Sequence, residues 1–335
     1  MTDGHGAIFD PEGLDHVELL RLISEVKRTS DFNPAKLRGK GAFVRSTDTP
    51  EGIRARDDLH NSAEADLFIP AGGRPDTMHE KNWNRFLKPN GDPSAKAIIE
   101  GANIFISAGA RSRLEERGVL CVPGPSANKT GVICSSYEIL AGLALTDEEF
   151  MEIKDQYVIE LLDILRDRAR SEARILLREH KLSAGTLTIT DLSYRLSRAI
   201  NALSDTISAM LTAEAPDLAS DEDLKDLLLA YCPRILAERY GDRVVNRIPR
   251  SHQFALLAAY ISSRILYKEG LGWVEPLIKV RTLHQVIRAY LTQEKRVVLL
   301  AREVRDSGIP DAEVVALILE RAGRKALTVQ ELGLE

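Results

Sequence analysis

The chain has 335 residues, of which 44% are hydrophobic and 28% charged, and a formal net charge of −5; this is the profile of a soluble globular protein with room for two domains. The negative balance argues against a nucleic-acid binder, which carries a clustered basic surplus, and the absence of any run of about eighteen apolar residues argues against a membrane span. The start, Met1 to Gly6, has neither the basic nor the apolar part of a signal peptide, and three scattered cysteines and seven histidines form no CxxC, HxxxH or HExxH spacing, so the expectation is a cytoplasmic protein with no disulfide framework and no metal site.

In chain order, an amphipathic helix is predicted over residues 13–27, with Leu19, Leu20, Ile23 and Val26 on one face. The Gly-, Pro- and charge-rich stretch 30–61 reads as a long loop with one strand at 42–44. Short apolar runs at 66–70, 97–99 and 119–122 read as strands, the last two apolar throughout, as strands of a parallel sheet are. Helices are predicted between them at 77–87 and 107–117, and another from 131 to 143. This alternation implies a parallel α/β sheet with helices on both faces. Beyond it the grammar is helical. Thr146-Asp147-Glu148-Glu149 is a capping box, followed by Phe150, Ile153, Tyr157, Leu161 and Leu165 at helical spacing. Ser220-Asp221-Glu222-Asp223 marks another start. Phe254, Leu257, Ala258, Ile261 and Ile265 form a further stripe stopped by Gly270, and Leu283, Val286, Ile287, Tyr290 and Leu291 one more. A last helix is predicted at 311–322 behind Gly308-Ile309-Pro310. The basic run 166–170 is interleaved with acid and reads as a solvated face.

Chemistry concentrates at the strand ends. Ile69-Pro70-Ala71-Gly72-Gly73-Arg74-Pro75, Glu100-Gly101-Ala102-Asn103 and Pro123 to Gly131 each follow a strand, where open α/β sheets bind ligands. Glycines let a backbone approach a ligand, and an amide side chain offers both a donor and an acceptor. No GxGxxG is present, and before Lys129-Thr130 the chain has Asn128 and Pro123 where a P-loop would need its two glycines.

Taken in order, Ala65 to Pro75, Glu100 to Asn103, Arg117 to Val119, Asn128 to Val132 and Ser135 to Glu138 resemble the NAD-binding domain of the glutamate, leucine, phenylalanine and valine dehydrogenases. The Gly-Gly-Arg-Pro form and the helical tail are similar to the large NAD-specific glutamate dehydrogenases. The likeness is specific over residues 2–145 and looser through helical segments such as 238–243. It implies NAD as cofactor, L-glutamate and 2-oxoglutarate as the substrate pair, ammonia as co-product, and a homo-oligomer in the full-length form. It also implies that Asn103 and Asn128 contact the nicotinamide ribose and carboxamide, with Ala71 and Gly72 lining the same edge. By the same likeness Ser135 reaches the substrate's side-chain carboxylate, and Val132 packs beside it. Asp3 matches the acid that holds the adenosine ribose, where a carboxylate accepts hydroxyls and repels a 2′-phosphate.

No residue is assigned a catalytic role. In that family the lysine base, its aspartate and the Gly-rich first βα turn all precede the matching segment. The expectation is therefore a C-terminal part of such an enzyme, inactive alone, with sheet edges left open to aggregation. Its architecture would be an incomplete doubly wound, Rossmann-like sheet over 1–145, then an all-α domain over 146–335. Two other readings stay open. One is a non-catalytic assembly or regulatory module that completes its sheet with a partner chain. The other is an unrelated α/β nucleotide-binding enzyme, which tight ATP binding would reveal.

Overall fold

The computed structural model describes residues 1–273, 281–322 and 324–333. They fall into two units, Met1–Asn128 with Thr188–Thr190, and Lys129–Leu187 with Asp191–Glu335.

The first unit holds two small sheets. Strands β1 (Thr2–Asp3), β2 (Gly6–Phe9) and β3 (Phe43–Ser46) pair antiparallel in that order. Helix α1 (His16–Ser24), capped by Asp15 accepting from the Glu18 amide, packs Leu22 and Leu19 with Ile8, Phe32 and Val44. The helix is shorter than expected and presents a different face. Leu20 is 63% exposed, Ile23 74% and Val26 90%. The inward face is chosen by Glu18, buried because it accepts from Arg21 Nε (2.9 Å) and the Asn33 amide (2.9 Å), tying the following loop to the helix.

The expected long loop is partly regular. Besides β3 it contains helix α2 (Pro50–Ser62), with Thr49 as N-cap and proline in its first turn. Its apolar content is too sparse to show a helical stripe. Gly52 lies against β3's end, where a Cβ would come within 1.7 Å of the Ser46 carbonyl oxygen.

Strands β4 (Ala65–Phe68), β5 (Ala95–Ile99) and β6 (Leu120–Val122) form a parallel sheet in that order, with Leu67 opposite Ala97 and Ile98 opposite Cys121. Helix α3 (Ala108–Glu115), capped by Ser107, runs between β5 and β6. Ile98 and Cys121 join Ala110, Leu114, Phe105 and Phe86 in one cluster, with Phe68 against it. On β4 and just past it, Leu67 is 41% and Ile69 54% exposed, so this strand is less covered than a parallel strand flanked by helices on both faces.

The helix expected over 77–87 is not formed; only Trp83–Phe86 makes a 3₁₀ turn. The Met78 amide instead bonds the Phe105 carbonyl, and the Ser107 amide bonds the Met78 carbonyl, in extended pairing. The Asn82 side chain takes the His79 amide (2.7 Å) and donates to the Thr77 carbonyl (2.9 Å), satisfying locally the groups a helix would have used. Met78 and Phe86 are buried as separate anchors rather than as one face.

The second unit is helical. After the short α4 (Gly124–Ala127), which closes the first unit, come α5 (Lys129–Ala144), α6 (Asp147–Leu182) and α7 (Ile189–Glu214). They are followed by α8 (Glu222–Tyr231), α9 (Arg234–Asn246) and α10 (Arg250–Glu269). The described helices end with α11 (Leu283–Asp306), α12 (Ala312–Arg321) and α13 (Lys325–Glu331). The capping box at Thr146 and Glu149 is formed, and Ile153, Tyr157 and Leu161 are buried as their spacing implies. So are Phe254, Leu257, Ala258, Ile261 and Ile265 on α10, which ends at Gly270 with φ of 94°. Tyr137 of α5 stacks on Tyr231 of α8 with centroids 4.6 Å apart. Arg168 departs from the solvated-face reading: its guanidinium lies 5.0 Å from the Tyr260 ring and donates to Ser263.

Candidate functional site

The parallel register aligns the carboxyl ends of β4, β5 and β6, from which three loops leave. The amide of Ala102 donates to the Pro70 carbonyl at 2.6 Å, joining the first loop to the second. The Asn128 side chain joins the second to the third, its Nδ2 donating to Asn103 Oδ1 at 2.6 Å and lying 3.5 Å from the Gly101 carbonyl. Gly124 makes room for that amide, since a Cβ there would sit 3.2 Å from Asn128 Nδ2. An amide pair of this kind uses one donor and one acceptor. Among the described residues it leaves Asn103 Nδ2 and Asn128 Oδ1 without a partner, so a donor and an acceptor stand side by side. Ala71 and Gly72 are exposed on the first loop, and a Cβ on Gly72 would meet nothing within 4 Å. Their backbone is open to a ligand.

Two features hold Asn103 in place. Glu100, 1% exposed, accepts from Arg111 Nε at 2.7 Å, and Arg111 also donates to the Ile106 carbonyl at 3.0 Å. This buried pair fastens both ends of the segment that carries Asn103. Ile104, next to it, has φ of 56°, a left-handed conformation costly for a β-branched residue. Its carbonyl is fixed by the Asp76 amide at 2.7 Å. Neither Glu100 nor Arg111 was singled out from the sequence. Glu100 stands inside a recognised motif, but nothing in the spacing points to Arg111 as its partner.

The other expected site residues lie elsewhere. Asp3 is on the antiparallel sheet, not at the parallel strand ends. Its carboxylate accepts from the His5 and Gly6 amides (2.7 and 3.0 Å) and from the Thr29 hydroxyl and amide (2.6 and 2.9 Å). Partial burial alone would raise its pKa, but these hydrogen bonds, led by Thr29, hold it below the ordinary aspartate value. Val132, 77% exposed, and Ser135, also exposed, are on α5 in the second unit. Ser135 Oγ lies 3.4 Å from the Gly131 carbonyl, the only bond it makes among the described residues. A groove of about 430 Å³ between α5 and α6 is lined by Ala141, Leu145, Phe150, Tyr157 and Leu161 with Glu138 at its side. None of the strand-end residues contributes to it.

Glycine- and asparagine-bearing loops gathered at the carboxyl ends of parallel strands are the place where open α/β sheets bind ligands. The comparison with known proteins gives the particular lineage. The chain matches the family described as Glutamate/Leucine/Phenylalanine/Valine dehydrogenase over residues 1–191, and it belongs to that family. It is 33% identical over 297 residues to glutamate dehydrogenase 2 of Dictyostelium discoideum, covering 81% of this chain and 28% of that protein. To the NAD-specific glutamate dehydrogenases of Saccharomyces cerevisiae and Neurospora crassa it is 34% and 32% identical, covering 81% of this chain and 27% of each. The chain thus spans little more than a quarter of the length of these relatives. Among the described residues no helix is long and apolar enough to cross a membrane.

Proposed function

We propose that this chain supplies the nicotinamide-facing part of the cofactor site of an NAD-dependent glutamate dehydrogenase. That enzyme would oxidise L-glutamate to 2-oxoglutarate and ammonia as a cytoplasmic homo-oligomer in its full-length form. The observation that carries this reading is the Asn103–Asn128 pair. Its outward donor and acceptor complement a carboxamide or a ribose hydroxyl, and the open Gly72 backbone leaves space for one. NAD, when bound, would accept the hydride from the substrate Cα. The residues present fit the role of orienting it. Asn103 and Asn128 would hold the nicotinamide end, Ala71 and Gly72 would line its edge, and Ser135 would reach the substrate's far carboxylate with Val132 packed beside it. Asp3 would take the adenosine ribose, but only by giving up part of its bonding to Thr29, His5 and Gly6.

Proton transfer is proposed to come from groups other than these. Lys96 is exposed and paired with Asp66 at 2.7 Å, and Lys129 is paired with Glu172. Neither is placed as a free base. We therefore infer that residues 1–335 do not turn over glutamate by themselves.

Titration of NADH fluorescence tests the reading. Asn103→Ala and Asn128→Ala are each expected to weaken NADH about tenfold, the equivalent of roughly 1.4 kcal/mol for a lost hydrogen-bonding side chain. A native protein blind to NADH, or substitutions without effect on its affinity, would sink the proposal. Tight ATP binding in place of NADH would likewise count against it.

A further inference from the structure

We propose that Glu172 and Tyr267 are positioning residues for the substrate-facing side of α5, acting through Lys129. This rests on the reading above, in which Val132 and Ser135 face glutamate.

Lys129 is the first residue of α5. A cation there opposes the helix dipole, whose positive end is at the N-terminus. Left to itself, a lysine at an exposed helix start would extend into water. Lys129 instead turns inward, with its side chain only 24% exposed and its Nζ 2.5 Å from Glu172 Oε2. The Glu172 side chain is 5% exposed and accepts a second bond, from the Tyr267 hydroxyl at 2.6 Å. Burial, reinforced by the neighbouring Glu172 charge, pushes the Tyr267 pKa up and keeps the phenol a donor. Glu172 comes from the middle of α6 and Tyr267 from near the end of α10, so α5, α6 and α10 meet at one carboxylate.

Desolvating such a pair is costly, and a buried ion pair is weak grounds for stability. What this one does geometrically is set where α5 begins and how it is rotated. Val132 and Ser135 follow Lys129 by three and six residues on the same rigid helix. A shift or rotation of its first turn displaces both. Asn128 precedes Lys129, but its amide is held separately by Asn103. The arrangement therefore separates two effects: loosening Lys129 should disturb glutamate more than NAD.

Steady-state kinetics on the full-length protein provide the test. In Glu172→Gln the KM for glutamate is expected to rise about tenfold, with that for NAD within about twofold, as a misplacement of binding groups would cause. Tyr267→Phe removes one oxygen and is expected to give a smaller change of the same kind, about threefold. It carries the test if Glu172→Gln does not fold. Lys129→Glu and Glu172→Lys should each raise the glutamate KM, and the double variant should recover most of the loss, which a general loss of stability would not do. Unchanged glutamate KM in variants of an active protein, or glutamate and NAD constants rising in parallel, would overturn this inference alone. A native full-length protein that turns over no glutamate would overturn the functional reading and this inference with it.

Discussion

Glu149 shows how one side chain can serve two elements. It closes the capping box of α6 with Thr146 and pairs with Arg243 of α9 at 2.6 and 2.8 Å. The Arg243 guanidinium, then the Thr146 amide, hold its pKa at about 2, against 4.5 for a free glutamate. A folded-state pKa depressed in this way contributes stability that is present above pH 4.5 and lost as the pH falls toward about 2. Glu149→Gln keeps the cap but loses the charge. The gap in thermal midpoint between native and variant should be largest near neutral pH and close across that acid window; a gap independent of pH would refute the assignment. The capping box could be read directly from Thr146-Asp147-Glu148-Glu149, but Arg243 could not, because the pairing joins residues 94 apart in sequence. The candidate site divides the same way. Asn103 and Asn128 stand out as amides at strand ends. The Glu100–Arg111 fastening depends on a helix returning over its own strand, and Glu172 is one acid among many along α6.

At the scale of elements, α2 is the informative case. Little in its apolar pattern announces a helix; its signals are the Thr49 cap, the following proline and a glycine pressed against β3. Thr49→Ala is expected to cost about 1 kcal/mol through the lost cap. Gly52→Ala should cost more, about 2–3 kcal/mol, because its Cβ would meet the Ser46 carbonyl at 1.7 Å and the helix must move off the strand. Urea unfolding of both variants measures this order, and the reverse order would mean that α2 is not tightly docked. The failures of sequence reasoning here share a cause. At 77–87 and on α1, polar side chains decide the structure: Asn82 satisfies the backbone groups a helix needed, and Glu18 turns α1 so that Leu22 rather than Ile23 faces inward. Hydrophobic periodicity is silent about such anchors. The stripes of α6 and α10 were legible because apolar spacing sets their burial, whereas α7, with Leu192, Leu196, Ile207 and Leu211 buried, was not anticipated.

At the scale of the whole molecule, the α/β-then-helical order was legible from alternation and period, since both are properties of the chain read in line. The division into two units suggests that unfolding is not a single transition. Calorimetry is expected to show two. Gly52→Ala should lower the one belonging to the first unit, and NADH at about a hundred times its Kd should raise that same one, adding about 2.7 kcal/mol. A single transition shifted by both would count against the division.

The first unit reclaims Thr188–Thr190 after the chain has left it at Asn128, and there the two threonines neighbour Glu115, whose burial raises its pKa. The Asn128–Lys129 bond is therefore not a seam. A nick or a recombination breakpoint at that bond would yield a first part lacking three of its residues and a second part carrying a piece that belongs to the other. The two units interleave along the chain, so a cut that follows sequence order does not divide them.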